Sequence, residues 1–131
     1  MSKFRLEILT PEKIFFDGEV DSLTVETEEG ELCIWAHHAP LAVGLPAGVL
    51  RIRTEENVRE AVNGEGFVEV RPDKTVVLCQ TMEWPEEIEK HLVERAIYEN
   101  ERRVREARSR AEYQTGKANL ARAFARLRLT K

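Results

Sequence analysis

Long apolar runs are missing from this sequence of 131 residues, and no stretch approaches the roughly 18 apolar residues that a bilayer-spanning helix requires. The start, Met1-Ser2-Lys3-Phe4, leads into alternating sequence without an apolar signal core, so the chain is expected to be made and kept in the cytosol. Cysteine is scarce: Cys33 and Cys79 are the only two, both in apolar strand-like runs. Without an export signal they are read as free, buried thiols and not as a disulfide. No glycine-rich loop opens a helix to cradle phosphate, and no nucleophile stands beside a base. Proline is absent after residue 85, and glycine survives there only as Gly116, one of seven. A turn-rich part is therefore followed by a turn-poor one.

What is present is an ordinary globular composition, 42% hydrophobic and 34% charged, with room for one compact core and not for a large multidomain enzyme. Its charge is divided at the same point as its turns. Residues 1–85 hold 8 Lys/Arg against 16 Asp/Glu, a net of −8, while residues 86–131 hold 12 against 8, a net of +4. From Arg102 to Lys131 ten basic residues face only Glu106 and Glu112.

In the first part apolar and polar residues alternate with period two: Phe4, Leu6, Ile8; Leu23, Val25; Leu50, Ile52; Val68, Val70. Such alternation marks strands with one face in a core. Asp17-Gly18, Glu28-Glu29-Gly30, Asn63-Gly64 and Pro72-Asp73 fall between them and suit turns. Short strands every 8–12 residues or so point to a sandwich or barrel. The expected core is Phe4, Leu6, Ile8, Leu23, Val25, Ile34, Leu50, Ile52, Phe67 and Leu78.

In the second part Pro85-Glu86-Glu87 suits a helix start, and a helix is expected over about residues 86–107. Leu92, Val93, Ala96, Ile97, Val104 and Ala107 recur at spacings of three and four, with Glu99/Arg103, Glu101/Arg105 and Glu106/Arg110 as expected ion pairs. Ser109-Arg110-Ala111-Glu112 matches a capping box and predicts a second helix from about residue 110. Tyr113, Gly116, Leu120, Phe124 and Leu127 form its stripe, so these five with Leu92 and Ala96 are expected to line the seam of a helical hairpin. Arg122 and Arg126 lie on the side opposite Phe124 and point away from that seam. The whole is read as an α+β chain: an N-terminal antiparallel β-sandwich over residues 1–85, then a two-helix antiparallel hairpin over residues 86–131.

One segment, Gly30-Glu31-Leu32-Cys33-Ile34-Trp35-Ala36-His37-His38-Ala39-Pro40-Leu41, gathers an acid, two histidines and a tryptophan at a strand end. It reads either as core filler with solvent-facing histidines or as a partner-binding loop on a rigid sheet. A metal-dependent β-barrel enzyme using Glu31, His37 and His38 is the alternative of another class. It is disfavoured because adjacent histidines on a strand face opposite ways and no second Cys/His cluster completes a shell. The basic helix also admits nucleic acid as a partner, but stacking aromatics are missing from its exposed face. An acidic protein surface fits better.

Taken together, Gly30-Glu31-Leu32, Ile34 and His38-Ala39-Pro40-Leu41, then Gly64-Glu65-Gly66-Phe67-Val68-Glu69-Val70-Arg71-Pro72-Asp73-Lys74, then Leu120-Ala121-Arg122-Ala123-Phe124-Ala125-Arg126-Leu127-Arg128 resemble the epsilon subunit of bacterial F-type ATP synthase over nearly the whole chain. The resemblance implies a non-catalytic rotor subunit of the central stalk, on the cytoplasmic face of the cell membrane, that couples proton flow to ATP synthesis. It implies the gamma subunit, the c-subunit ring and the beta and alpha subunits as partners, with membrane contact only through the complex. Glu31 is then expected near the c ring and His38 near gamma. The hairpin is expected to inhibit ATP hydrolysis when extended, with Arg122, Arg126 and Arg128 meeting an acidic segment of beta. Cys33, Ala36 and His37 depart from the usual residues of the first block. The ATP-binding motif of some bacterial members falls on Ile88-Glu89-Lys90-His91-Leu92-Val93, where Leu92 replaces the arginine, and Arg95-Ala96 fits only if the acid moves to Leu92. No ATP site, metal or other cofactor is expected.

Overall fold

A computed structural model describes residues 2–130. The alternating segments become ten strands: β1 (Phe4–Leu9), β2 (Ile14–Val20), β3 (Ser22–Thr27), β4 (Gly30–Trp35), β5 (Leu41–Leu45), β6 (Gly48–Arg53), β7 (Val58–Asn63), β8 (Gly66–Val70), β9 (Thr75–Cys79) and β10 (Met82–Glu83). They pair as two five-stranded sheets, β2-β1-β9-β8-β5 and β10-β7-β6-β3-β4. Neighbours run antiparallel except β1 and β9, which run parallel. The sandwich is thus closed by its first strand meeting its ninth. That pairing joins residues about seventy positions apart, which no local periodicity can register.

Between the sheets Leu6, Ile8, Leu23, Val25, Ile34, Leu50, Val68 and Val77 are fully buried. Phe4 only packs at the edge of this cluster. Phe67 and Leu78, read from sequence as core, are 44% and 37% exposed. The cause is strand parity: Val68 and Val70 point inward on β8, and Val77 and Cys79 on β9, so their neighbours must point outward.

Pro85–Glu87 forms a single 3-10 turn, and helix α1 begins later than expected, at Lys90, running to Arg105. Glu87 is engaged in closing the turn, accepting the Trp84 N–H at 2.8 Å. Trp84 itself is clamped to the sandwich, stacked on Phe15 at 4.4 Å with the Arg59 guanidinium 3.6 Å from its ring. The root of the hairpin is therefore fixed. Helix α2 spans Arg110–Leu129, and Ser109 Oγ accepts the Glu112 N–H at 3.1 Å as the capping box requires. The return bond goes one residue further back, from the Arg108 N–H to Glu112 Oε2 at 3.0 Å. The ion pairs on α1 are Arg95–Glu99 and Arg102–Glu106, both exposed and 3.8 Å long. They use the reverse order from the acid-first pairs expected, and add little to stability.

Candidate interaction surfaces

Helix α2 lies against α1 and also against β6 and β7. It therefore has two faces to bury, and the buried arc falls on small residues, Gly116, Ala123 and Ala125, opposite Val93 and Asn100 of α1 as the other buried members of the hairpin. Of the residues assigned to the seam from spacing alone, Gly116 is buried and Ala96, Leu120 and Leu127 are half-buried, whereas Leu92, Tyr113 and Phe124 are exposed. A Cβ on Gly116 would stand 2.8 Å from Val104 Cγ2. Close helix approach at that level explains the one glycine left in this part of the chain. Asn100 and Asn119, not singled out from sequence, meet across the helices at 3.2 Å. Their signal was positional, since Asn100 lies four after Ala96 and Asn119 three after Gly116.

The face that α2 turns to the sandwich carries the three arginines. Arg122 forks onto both oxygens of Glu65 at 2.8 and 2.7 Å. Arg126 Nε donates to Glu83 at 2.6 Å, and Arg128 forks onto Glu26 at 2.9 and 2.6 Å. Val49 and Val62, paired on the outer side of β6 and β7, are buried at this contact. Arg128 holds the Glu26 carboxyl below the usual carboxylate range, helped by the Val49 N–H that also donates to it. Burial pushes the Glu65 carboxyl up, but the Arg122 fork outweighs it and the net shift is downward. The arginines were legible as a basic face; their partners, 57, 43 and 102 residues away, were not.

Glu31 sits on β4 directly opposite Glu26 of β3. Like charges opposed across strands repel, and each has its own cation: Arg51 donates to Glu31 at 3.3 and 3.5 Å, Arg128 to Glu26. Glu31 is exposed and its pair is open to solvent. His37 and His38 lie beyond the strand, in the turn that follows it. His37 has φ 64, a left-handed conformation in which glycine is at ease and most side chains are not. His38 is half-buried, its Nδ1 donating to the Ala39 carbonyl at 2.7 Å.

The outer side of the other sheet carries a feature that sequence reading assigned to the core. Ile14, Leu9, Leu78, Phe67 and Gly44 are register partners in one row across all five strands. Ile14 is 66% exposed, so the row is an open apolar band. At the hairpin root a hollow of about 250 Å³ is lined by Glu83, Glu87, Ile88, Glu89, Leu92, Val93 and Arg126. It presents three carboxylates and one guanidinium, and that guanidinium is already bound to Glu83.

Residues 3–85 match the family model of the ATP synthase delta/epsilon chain β-sandwich domain. The chain is 41% identical over 130 residues to an ATP synthase epsilon chain of Ruminiclostridium cellulolyticum, covering 99% of this chain and 97% of that one. It is 37% identical to an ATP synthase epsilon chain of Caldicellulosiruptor bescii, covering 100% and 96%. Among solved structures it superposes on a chain of the Euglena gracilis mitochondrial ATP synthase with a TM-score of 0.84 at 20% identity, over 95% of this chain and 79% of that one. A chain of the Tetrahymena thermophila mitochondrial ATP synthase central stalk and c ring gives 0.68 at 19%, over 99% and 98%.

Proposed function

The chain belongs to the family of ATP synthase epsilon chains, accessory subunits of the stalk and not catalytic ones, and from that premise we propose that its sandwich docks on the rotor while its hairpin gates ATP hydrolysis. The sandwich supplies two docking features. The apolar row through Leu78 and Phe67 suits the gamma subunit, as does His38 toward the other end of the same sheet, near the turn that carries Arg71 and Lys74, and the exposed Glu31 suits a cationic loop of the c-subunit ring. Through these contacts the subunit turns with the rotor and takes part in coupling proton flow to synthesis, at the cytoplasmic face of the cell membrane.

The observation that carries the gating half is the engagement of Arg122, Arg126 and Arg128 by Glu65, Glu83 and Glu26. In this form the arginines are unavailable to an acidic segment of beta. A partner carboxylate must compete with the sandwich's own, and inhibition requires the hairpin to leave. The hollow at the hairpin root supports regulation without a bound nucleotide, because three carboxylates there oppose phosphate and Leu92 donates nothing to it.

The two sides of the contact make opposite predictions in a reconstituted ATP synthase. Replacing Glu26, Glu65 and Glu83 by Gln frees the hairpin with its arginines intact, and ATP hydrolysis is expected to fall. Replacing Arg122, Arg126 and Arg128 by Ala frees the hairpin without them, and hydrolysis is expected to rise while assembly is kept. If both sets move hydrolysis the same way, or neither moves it, the gating role is wrong.

A further inference from the structure

Asn100 and Asn119 interrupt the hairpin seam with polar groups. Asn100 is 8% exposed, and its Nδ2 donates to the Ala96 carbonyl of its own helix at 2.8 Å. That leaves its Oδ1 toward α2, where it accepts from Asn119 Nδ2 at 3.2 Å. Asn119 Oδ1 in turn accepts from Arg122 Nη1 at 2.7 Å. The remaining edge of the same guanidinium, Nε and Nη2, is the fork that grips Glu65. One chain of hydrogen bonds thus runs from the backbone of α1, through two amides and a guanidinium, to the sandwich. Arg126 and Arg128 show no such brace among the described residues; they donate directly to Glu83 and Glu26.

We infer that Asn119, held by Asn100, is a positioning residue for Arg122, so that the fork onto Glu65 is preorganised only while the two helices stay in register. The inference rests on the docked hairpin being the regulatory element, and it adds how that element is released. A free arginine samples many rotamers and must be ordered as it docks; one already held by an amide has lost that freedom beforehand. When α1 slides or parts from α2, Asn119 loses Asn100 and Arg122 loses its brace. Separation of the helices and departure from the sandwich then favour each other, and Arg122 is the arginine through which they are linked.

The test uses the full chain alone, with energy transfer between a dye on Cys33, which is exposed and not buried as its apolar run suggests, and one on α2 introduced by Lys117→Cys. Cys79 stays unlabelled, since it is buried and its thiol is pushed up to about 12 by desolvation and the nearby Glu65 charge. Docking is followed through a salt titration. Asn119→Ala is expected to lower the docking constant roughly tenfold, the scale of a lost hydrogen bond to a charged group. The circular dichroism of the helices should not fall, because alanine is the better helix former. In a Glu65→Gln background the same substitution should change docking by less than about twofold, because the fork it positions is gone. Equal factors in the two backgrounds, or no change in the first, would overturn the inference. If Asn119→Ala does lose helix signal, Asn100→Ala decides, since it leaves Asn119 and Arg122 in place and removes only the acceptor that holds Asn119. A loss of docking in the parent that is at least about threefold greater than in the Glu65→Gln background supports the role, and equal factors in the two overturn it. Hydrolysis by the assembled complex is a separate readout, so the gating proposal and this one fail separately.

Discussion

The sandwich encloses a cluster of fifteen buried side chains, from Leu6 to Met82, shared by both sheets. The hairpin buries Val93, Asn100, Gly116, Ala123 and Ala125, of which one is polar, one has no side chain and two are alanines. Between the two parts lie Val49, Val62 and three Arg–Glu pairs whose side chains are a quarter to a half exposed. Exposed pairs of this kind are worth about 1 kcal/mol or less each after solvent screening. Apolar area makes the sandwich one rigid body, whereas charge and two valines hold the hairpin to it. A partner offering carboxylates competes on equal terms with the second kind of contact and not with the first.

The largest expected effect tests the first half of that contrast. Leu50→Ala, in the fully buried centre of β6, should lower stability in a denaturant melt by about 2–5 kcal/mol. Leu92→Ala, at a half-exposed hairpin site, should stay within about 0.5 kcal/mol. Comparable losses would erase the distinction.

A smaller effect should appear with pH and only at the docking contact. Glu26 and Glu65 both titrate below the ordinary value of 4.5 when docked. A carboxyl depressed on docking stabilises the docked form above its free pKa and loses that contribution as pH falls through its docked pKa. The docking constant should therefore be flat from about pH 7 to 5 and fall as the pH passes below 4.5. A docking constant that rises on acidification would contradict these ion pairs.

The smallest concerns the sandwich's own strained turn. His37→Gly removes a left-handed side-chain conformation costing about 1–2 kcal/mol and adds about 0.5–1 kcal/mol of unfolded-state entropy. A net gain of roughly 0.5–1 kcal/mol in the melt is expected.

Much of this architecture is legible in the sequence, and for definable reasons. Period two along Leu6-Ile8 and Leu50-Ile52 and the capping box at Ser109 are local patterns, and local patterns survive in the fold. For Phe67 the alternation at Val68 and Val70 already points outward, and hydrophobicity alone argues otherwise; Leu78 sits in the unbroken apolar run Val76-Val77-Leu78-Cys79, and only its register with Phe67 puts it outside. Tyr113 and Phe124 were placed on a seam because spacing gives the shape of a stripe but not the direction in which a second neighbour rotates it. The partners of Arg122, Arg126 and Arg128 could not be read at all, since Glu65, Glu83 and Glu26 reach them only through the tertiary fold. His37 shows the reverse case: its φ of 64 holds a side chain in a turn where glycine is at ease, and no local pattern in the sequence announces it.

Native-state amide hydrogen exchange on the full chain, at low and high salt, tests the separable hairpin most directly. The amides of α2 are expected to exchange by an opening of lower free energy than those of Val68 and Val77, and salt should speed α2 while leaving the sandwich core unchanged. A single shared exchange free energy, equally insensitive to salt, would show that hairpin and sandwich open as one unit and that no charge-held switch exists.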